Sequence, residues 1–343
     1  MLKITQEQLP KLWALLAQQG ELYVPTTVTT GTVDFARYEK GMTVDVTTTL
    51  TAKSLKDLFF PQVENIVDFT TAGQKIAVLE HPLQTMPTIA FGVRACDVRS
   101  FAILDRVFLQ APVDAFYEAR RRACTIIGLA CSEPEETCFC QSFGIDPTQP
   151  ESDVVTWLVA GDLYWQAQTA KGEALTVYVK ELAEVVEEEQ VALQRERTRA
   201  VLAQLPLADF TVAAKIPQNE ERVFASAVWE RLSGTCLSCC TCTYVCPTCH
   251  CYDIRDYENE NKVERFRCWD SCMCADFTKM AHGNPRKSKL ERFRQRYMHK
   301  LVYFPANNDE VYACVGCGRC LSKCPVNLNI VKVAKALEAS DDV

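Results

Sequence analysis

Two copies of one cysteine pattern constrain this chain more than anything else in it. "CLSCCTCTYVCP" at residues 236 to 247 and "CVGCGRCLSKCP" at 314 to 325 both have the form C-x2-C-x2-C-x3-C-P. Such short spacings turn three thiolates of one loop toward a single cube of iron and sulfide, while the fourth follows a chain reversal and ligates the other cluster. The pattern therefore places Cys236, Cys239, Cys242 and Cys324 on one [4Fe-4S] cluster, and Cys314, Cys317, Cys320 and Cys246 on a second. Zinc also takes four cysteines, but structural zinc sites show two C-x2-C pairs across a longer spacer and no following proline. Cys240 sits inside a spacing that is complete without it and reads as a non-ligand.

Composition matters here for what the cysteines are not. A chain of 343 residues buries a core without cross-links, and fourteen of its nineteen cysteines fall between Cys236 and Cys324. That segregation does not suit a disulfide-stapled secreted fold. The opening "MLKITQEQLPKLWALLAQQG" reads as an amphipathic helix and not a signal peptide, and no window is long and apolar enough for a membrane span. A reducing cytoplasm is therefore the expected compartment. The formal charge of −7 argues against nucleic acid as a partner.

The pattern along the chain divides it into residues 1–220, an α+β or α/β domain, and residues 221–343, a mainly helical ferredoxin-like domain carrying the two clusters. "ELYVPTTVTT" and "MTVDVTTTL" read as strands rich in valine and threonine. "TIAFGVRAC" (88 to 96) reads as a buried strand, "DVRSFAILDRVF" (97 to 108) as a helix with Asp97 as its N-cap, and "CTIIGLAC" (124 to 131) as another buried strand. Two such strands joined by a helix are expected to be parallel neighbours. A strand-like stretch follows at "DVVTWLVAGDLYW", then a long helix from about residue 180 to 204, then a linker at "LADFTVAAKIPQNEE". In the second domain "KSKLERFRQRYMHKL" is helical, with Leu290, Phe293, Tyr297 and Leu301 on one apolar face. Its basic residues, Arg296 and Lys300 among them, read mostly as a solvated face, or alternatively as a docking surface or counter-charge for anionic clusters.

If 88–96 and 124–131 are parallel neighbours, Cys96 and Cys131 both lie at carboxyl ends of strands, where open α/β sheets build their sites. The loop "SEPEETCFC" then brings Cys138 and Cys140 to the same crevice, giving four thiolates for a third [4Fe-4S] cluster. The alternative is that these are ordinary buried or loop cysteines. Cys124, at the opposite strand end, is not expected to be a ligand. Cys249, Cys251, Cys268, Cys272 and Cys274 are irregularly spaced. They suit either a further cluster or metal with His250 or His282, or small buried side chains packed near a cluster. No G-x-G-x-x-G, G-x-x-x-x-G-K-[ST] or H-E-x-x-H is present, and nothing singles out a nucleophile and base.

Taken in order, "FGVRACD", "CSEPEETCFCQSFG", "CLSCCTCTYVCPTCHCYDI", "WDSCM", "MAHGNPRKSKLERFRQRYMHKL" and "CVGCGRCLSKCP" resemble an iron–sulfur subunit family. That family includes the anaerobic sulfite reductase A subunit and the β subunit of cytoplasmic sulfhydrogenases. The likeness spans about residue 55 to 330 and departs at "AHGNPR", where relatives carry a Gly-Gly-His arrangement. The resemblance implies a non-catalytic electron-transfer subunit in anaerobic metabolism. Its implied partners are a flavin-containing, ferredoxin-reductase-like subunit that holds FAD, and a catalytic subunit such as a hydrogenase or a sirohaem sulfite reductase. It also matches Cys96, Cys131, Cys138 and Cys140 to family cysteine positions, as it does Cys249, Cys251 and Cys272. Competing readings are an enzyme subunit with its own small-substrate site in the N-terminal crevice, and a redox-sensing module.

Overall fold

Buried, β-branched strands and one-sided apolar helices dictate a layered sheet in the first part of the chain. The computed structural model describes residues 1–73, 75–212 and 220–340. Part of the expected linker, residues 213–219, lies outside the described residues. The main sheet is built from β1 (Leu2–Ile4), β2 (Glu21–Thr29), β3 (Thr32–Arg37), β6 (Thr88–Val93), β7 (Cys124–Leu129), β8 (Val154–Val159), β9 (Asp162–Ala167) and β10 (Glu184–Val185). A second sheet contains β4 (Val63–Ala72), β5 (Lys75–Glu80), β11 (Tyr252–Asn259) and β12 (Lys262–Trp269).

The main sheet runs in the order β10-β1-β9-β8-β7-β6-β2-β3. Its centre, β2-β6-β7-β8, is parallel, as the apolar runs required, and β6 and β7 are direct parallel neighbours. Every residue of β6 is buried, because helices cover both faces. Ile89 and Phe91 pack with Leu12, Trp13 and Leu16 of α1 (Leu9–Gln19) on one side. Ala90 and Val93 pack with Phe101, Leu104 and Phe108 of α2 (Ala95–Phe108), and with Tyr117 of α3 (Ala115–Ala123), on the other.

The second sheet is antiparallel, in the order β11-β12-β4-β5, and joins residues on either side of position 220. Arg267 of β12 donates from Nε to Glu64 Oε2 of β4 at 2.7 Å, fixing that pairing from inside. The hairpin β11–β12 is a β element inside a segment expected to be mainly helical.

Several local expectations are corrected. "MTVDVTTTL" is no strand: the Asp45 carboxylate accepts from the Thr47 and Thr48 amides at 2.8 and 2.9 Å, and that turn displaces a ladder. Asp97 is no N-cap: Arg94 holds that position and Asp97 lies within the first turn of α2, buried. The helix expected from about residue 180 begins at Glu189, as α5 (Glu189–Leu202), because Glu184 and Val185 form the edge strand β10 and pair with β1. A helix not expected from the sequence, α4 (Ala170–Val179), capped by Thr169, precedes it. "DVVTWLVAGDLYW" holds two strands, β8 and β9, reversed at Ala160 and Gly161, both with positive φ.

Candidate metal centres

The two cysteine motifs fold onto one backbone course. Ser238 and Cys240 of the first copy have φ of 54° and 61°; Gly316 and Gly318, at the matching places of the second, have 59° and 78°. These left-handed turns point successive thiols inward, and a four-residue helix follows each, Thr241–Tyr244 and Arg319–Ser322. Cys236, Cys239 and Cys242 then line one chamber together with Cys324. Cys314, Cys317 and Cys320 line a second together with Cys246. The fourth cysteine of each motif thus stands in the other motif's chamber.

A third chamber is lined by Cys96, Cys131, Cys138 and Cys140. Cys96 and Cys131 follow the carboxyl ends of β6 and β7, and the loop after Cys131 returns Cys138 and Cys140 beside them. That loop is held by the second motif. The Phe139 amide donates to the Gly316 carbonyl at 2.9 Å. A Cβ on Gly316 would come within 2.4 Å of the Phe139 carbonyl oxygen, and one on Gly318 within 2.6 Å of that of Thr137. Only glycine permits this approach, and it makes Cys317 a wall of both the second and third chambers.

The charges around these chambers test what they hold. Arg94, Lys56, Arg296 and Lys300 are all buried. Arg94 donates to the Leu129, Ala130 and Thr48 carbonyls, and Lys56 to those of Cys246 and Cys249. Lys300 Nζ donates to Thr248 Oγ1 at 2.8 Å, to the Ala313 carbonyl at 2.9 Å and to Cys246 Sγ at 3.4 Å. Arg296 lines the first two chambers, and its Nε and Nη1 have no hydrogen-bond partner. None of these four meets a carboxylate among the described residues. A buried cation without a counter-charge is strongly destabilising, so the chambers suit an anionic group. A thiolate-ligated iron–sulfur cluster is one. Burial pushes the Cys138 and Cys314 thiols up to about 12, so they become thiolates only where a metal displaces the proton. Iron–sulfur clusters so held supply one-electron transfer.

Comparison with known proteins agrees with this chemistry. Residues 235–328 match the 4Fe-4S dicluster domain family. Sulfhydrogenase 2 subunit beta of Pyrococcus furiosus is 32% identical, with 71% of this chain and 72% of that protein covered. The chain belongs to the sulfhydrogenase β-subunit family. It is an iron–sulfur electron-transport subunit carrying [4Fe-4S] clusters. No solved structure matches it.

Within this sulfhydrogenase β-like chain, the remaining cysteines separate. Cys124 is buried at the far end of β7, away from every chamber described. Cys240 lies on the first chamber, with its Sγ 2.9 Å from Cys274 Sγ. Cys268 is on β12. Cys249, Cys251 and Cys272 line a chamber of their own, with His250 and His299, while His282 is exposed. Among the described residues no three histidine, cysteine or acidic side chains stand close enough to grip one metal ion; the thiols surround larger spaces. Sequence patterns passed over Lys56 and Arg94, and counter-charge was only the alternative to a solvated face for Arg296 and Lys300. Arg296 and Lys300 adjoin Tyr297 and Leu301 on the helix Lys289–Met298 and the π-helical turn His299–Tyr303. Adjacency to that apolar stripe was the available signal that these two face inward.

Proposed function

We propose that the chain relays single electrons through three [4Fe-4S] clusters, held in turn by Cys96, Cys131, Cys138 and Cys140, by Cys314, Cys317, Cys320 and Cys246, and by Cys236, Cys239, Cys242 and Cys324. The observation that carries this reading is continuity: Cys317 borders the first two of these chambers and Arg296 the last two. Electron transfer needs such a row and no acid, base or nucleophile.

The donor and acceptor are separate chains on this reading. One is a flavin subunit holding FAD and reacting with NAD(P)H; the other is a catalytic subunit of hydrogenase type, a sulfite reductase being the alternative. The relative's name, a sulfhydrogenase subunit, favours the hydrogenase. The chamber of Cys236 reaches the surface beside Leu237 and Val326, both exposed, which gives one terminus an apolar docking patch. The setting is an anaerobic cytoplasm, and no helix of the described residues is long and apolar enough to cross a membrane.

The test is iron and acid-labile sulfide per chain after anaerobic purification, for the natural protein and for Cys138→Ser combined with Cys140→Ser. The variant is expected to lose about four irons and to stop passing electrons from a flavoprotein donor to a hydrogenase acceptor. Unchanged iron would confine the clusters to the doubled motif and end the three-cluster reading.

A further inference from the structure

The chamber of Cys249, Cys251 and Cys272 has the properties of the other three and no role in the relay just described. It takes in about 290 Å³ of space between atoms, open solvent included, against about 330 and 340 Å³ for the two chambers that share Cys317. Its thiols come from two segments: the turn after Pro247 supplies Cys249 and Cys251, and the loop after β12 supplies Cys272. The β11–β12 hairpin brings these together, since the Asp270 amide donates to the Cys251 carbonyl at 2.9 Å.

Buried cations at its walls suit an anionic occupant. Arg296 lines this chamber as well, with Nε and Nη1 unpartnered and the residue only 2% exposed. Lys300 lines it too, and Lys56, 2% exposed, is tied to the carbonyl of Cys249 itself. Lys300 and Arg296 are shared with the second chamber and Arg296 with the first, and none of the three cations meets a carboxylate among the described residues. The burial of each would cost several kcal/mol if left uncompensated.

His250 supplies a fourth ligand. His250 Nδ1 lies 3.0 Å from the Thr248 carbonyl. A carbonyl only accepts, so Nδ1 carries the hydrogen and Nε2 keeps its lone pair. That is the arrangement found in metal-binding histidines, whose other ring nitrogen donates to a backbone carbonyl.

We propose that Cys249, Cys251, Cys272 and His250 hold a fourth [4Fe-4S] cluster, placed as a side branch of the relay. It borders the Cys246–Cys314 chamber through Lys300 and Arg296, and the Cys236 chamber through Arg296 alone. The cluster takes one electron from its neighbour, which is thereby oxidised, and returns it by the same route. A neutral imidazole in place of a thiolate raises a cluster's potential, as the histidine-ligated Rieske centres illustrate. The branch is therefore the most readily reduced centre of the set: a store that lets a two-electron donor unload while the relay passes one electron at a time.

This inference rests on the relay reading only for its role, not for the cluster's existence, and the variants keep the two apart. Iron and acid-labile sulfide are measured for Cys251→Ser combined with Cys272→Ser, beside Cys138→Ser with Cys140→Ser. About four irons should be lost from the first pair whatever the second pair does. An unchanged iron content would overturn the fourth cluster, and the thiols would then be packing residues. Because a double serine variant is at risk of misfolding, His250→Cys is the second probe, examined by pulsed EPR after graded reduction in protein labelled with 15N-histidine. The natural protein should show a strong nitrogen coupling on the first centre to be reduced. His250→Cys should keep its iron, lose that coupling and reduce later. Coupling that persists in His250→Cys, or that is absent from the natural protein, would overturn His250 as the ligand.

Discussion

The two copies of the cysteine motif share a backbone and differ in what they face. At three of the spacer places, the first copy has Ser238, Cys240 and Thr241, and the second has Gly316, Gly318 and Arg319. Both copies turn through left-handed φ at the first two of these positions. In the first copy Ser238 is half-buried and Cys240 packs against Cys274, so both places hold a side chain at some conformational cost. In the second the turn is pressed against residues 137–140, where a Cβ has no room. Arg319 then passes through the contact to Asp97 at the start of α2, with bonds of 2.6 and 2.7 Å. One copy is thus an end of the cluster row and the other its junction with the parallel sheet. Their sequence differences record packing and not a difference in iron ligation.

The largest expected effect comes from the junction's charge. Arg319 and Asp97 are each 1% exposed, so Asp97→Asn leaves a fully buried guanidinium without its partner. Loss of one member of such a pair costs about 3–5 kcal/mol. Chemical denaturation of cluster-free Asp97→Asn should show that loss, because the pair exists without iron. A loss below about 1 kcal/mol would mean that the junction does not depend on it, and that the two halves are held by the second sheet. Thr241→Val at the matching place in the first copy is the control, since no buried charge depends on it.

Next in size is the steric half of the junction. Gly316→Ala places a methyl group against the Phe139 carbonyl and asks a non-glycine residue to hold positive φ. The combined penalty is about 1–3 kcal/mol, read as a fall in the denaturation midpoint. Hydrogen exchange should quicken at the Phe139 amide, which donates to Gly316. An unchanged Phe139 amide would show that the close approach is not what orders the loop carrying Cys138 and Cys140.

These differences also explain which parts could be read from sequence. The doubled motif was legible because its thiols lie within a few residues of one another and only turn geometry intervenes. The crevice of Cys96 and Cys131 was legible at one remove: two apolar runs with a helix between them fixed the parallel pair, and both cysteines followed their strands. What failed depended on distant partners. Asp97 looks like an N-cap because a carboxylate before an apolar helix usually is one; its true partner, Arg319, is 222 residues away. The second sheet was invisible because β4 finds β12 across 190 or more positions, and β5 is exposed along its whole length. The Val-Thr alternation of "MTVDVTTTL" carries strand propensity, but one aspartate at its centre captures the backbone amides first. Arg296 and Lys300 carried the likeness of a solvated helix face because a cation's counter-charge is normally a carboxylate, and among the described residues neither pairs with one.

The smallest prediction is the reverse substitution in the other copy. Ser238 holds φ of 54° with no hydrogen bond that requires its hydroxyl; its amide, donating to Cys236 Sγ at 3.4 Å, would remain in any variant. Ser238→Gly therefore removes left-handed strain of about 1 kcal/mol and adds back part of it as chain entropy in the unfolded state. The expected result is a protein equal to or slightly more stable than the natural one, with iron content unchanged. Gly316→Ala and Ser238→Gly thus move the two copies toward each other in sequence and should move stability in opposite directions. If Ser238→Gly were as damaging as Gly316→Ala, the shared backbone course would not explain the pattern. Selection at these positions would then concern the sulfur-facing side chains themselves, with Ser238 tuning its cluster where Gly316 makes room for a neighbour.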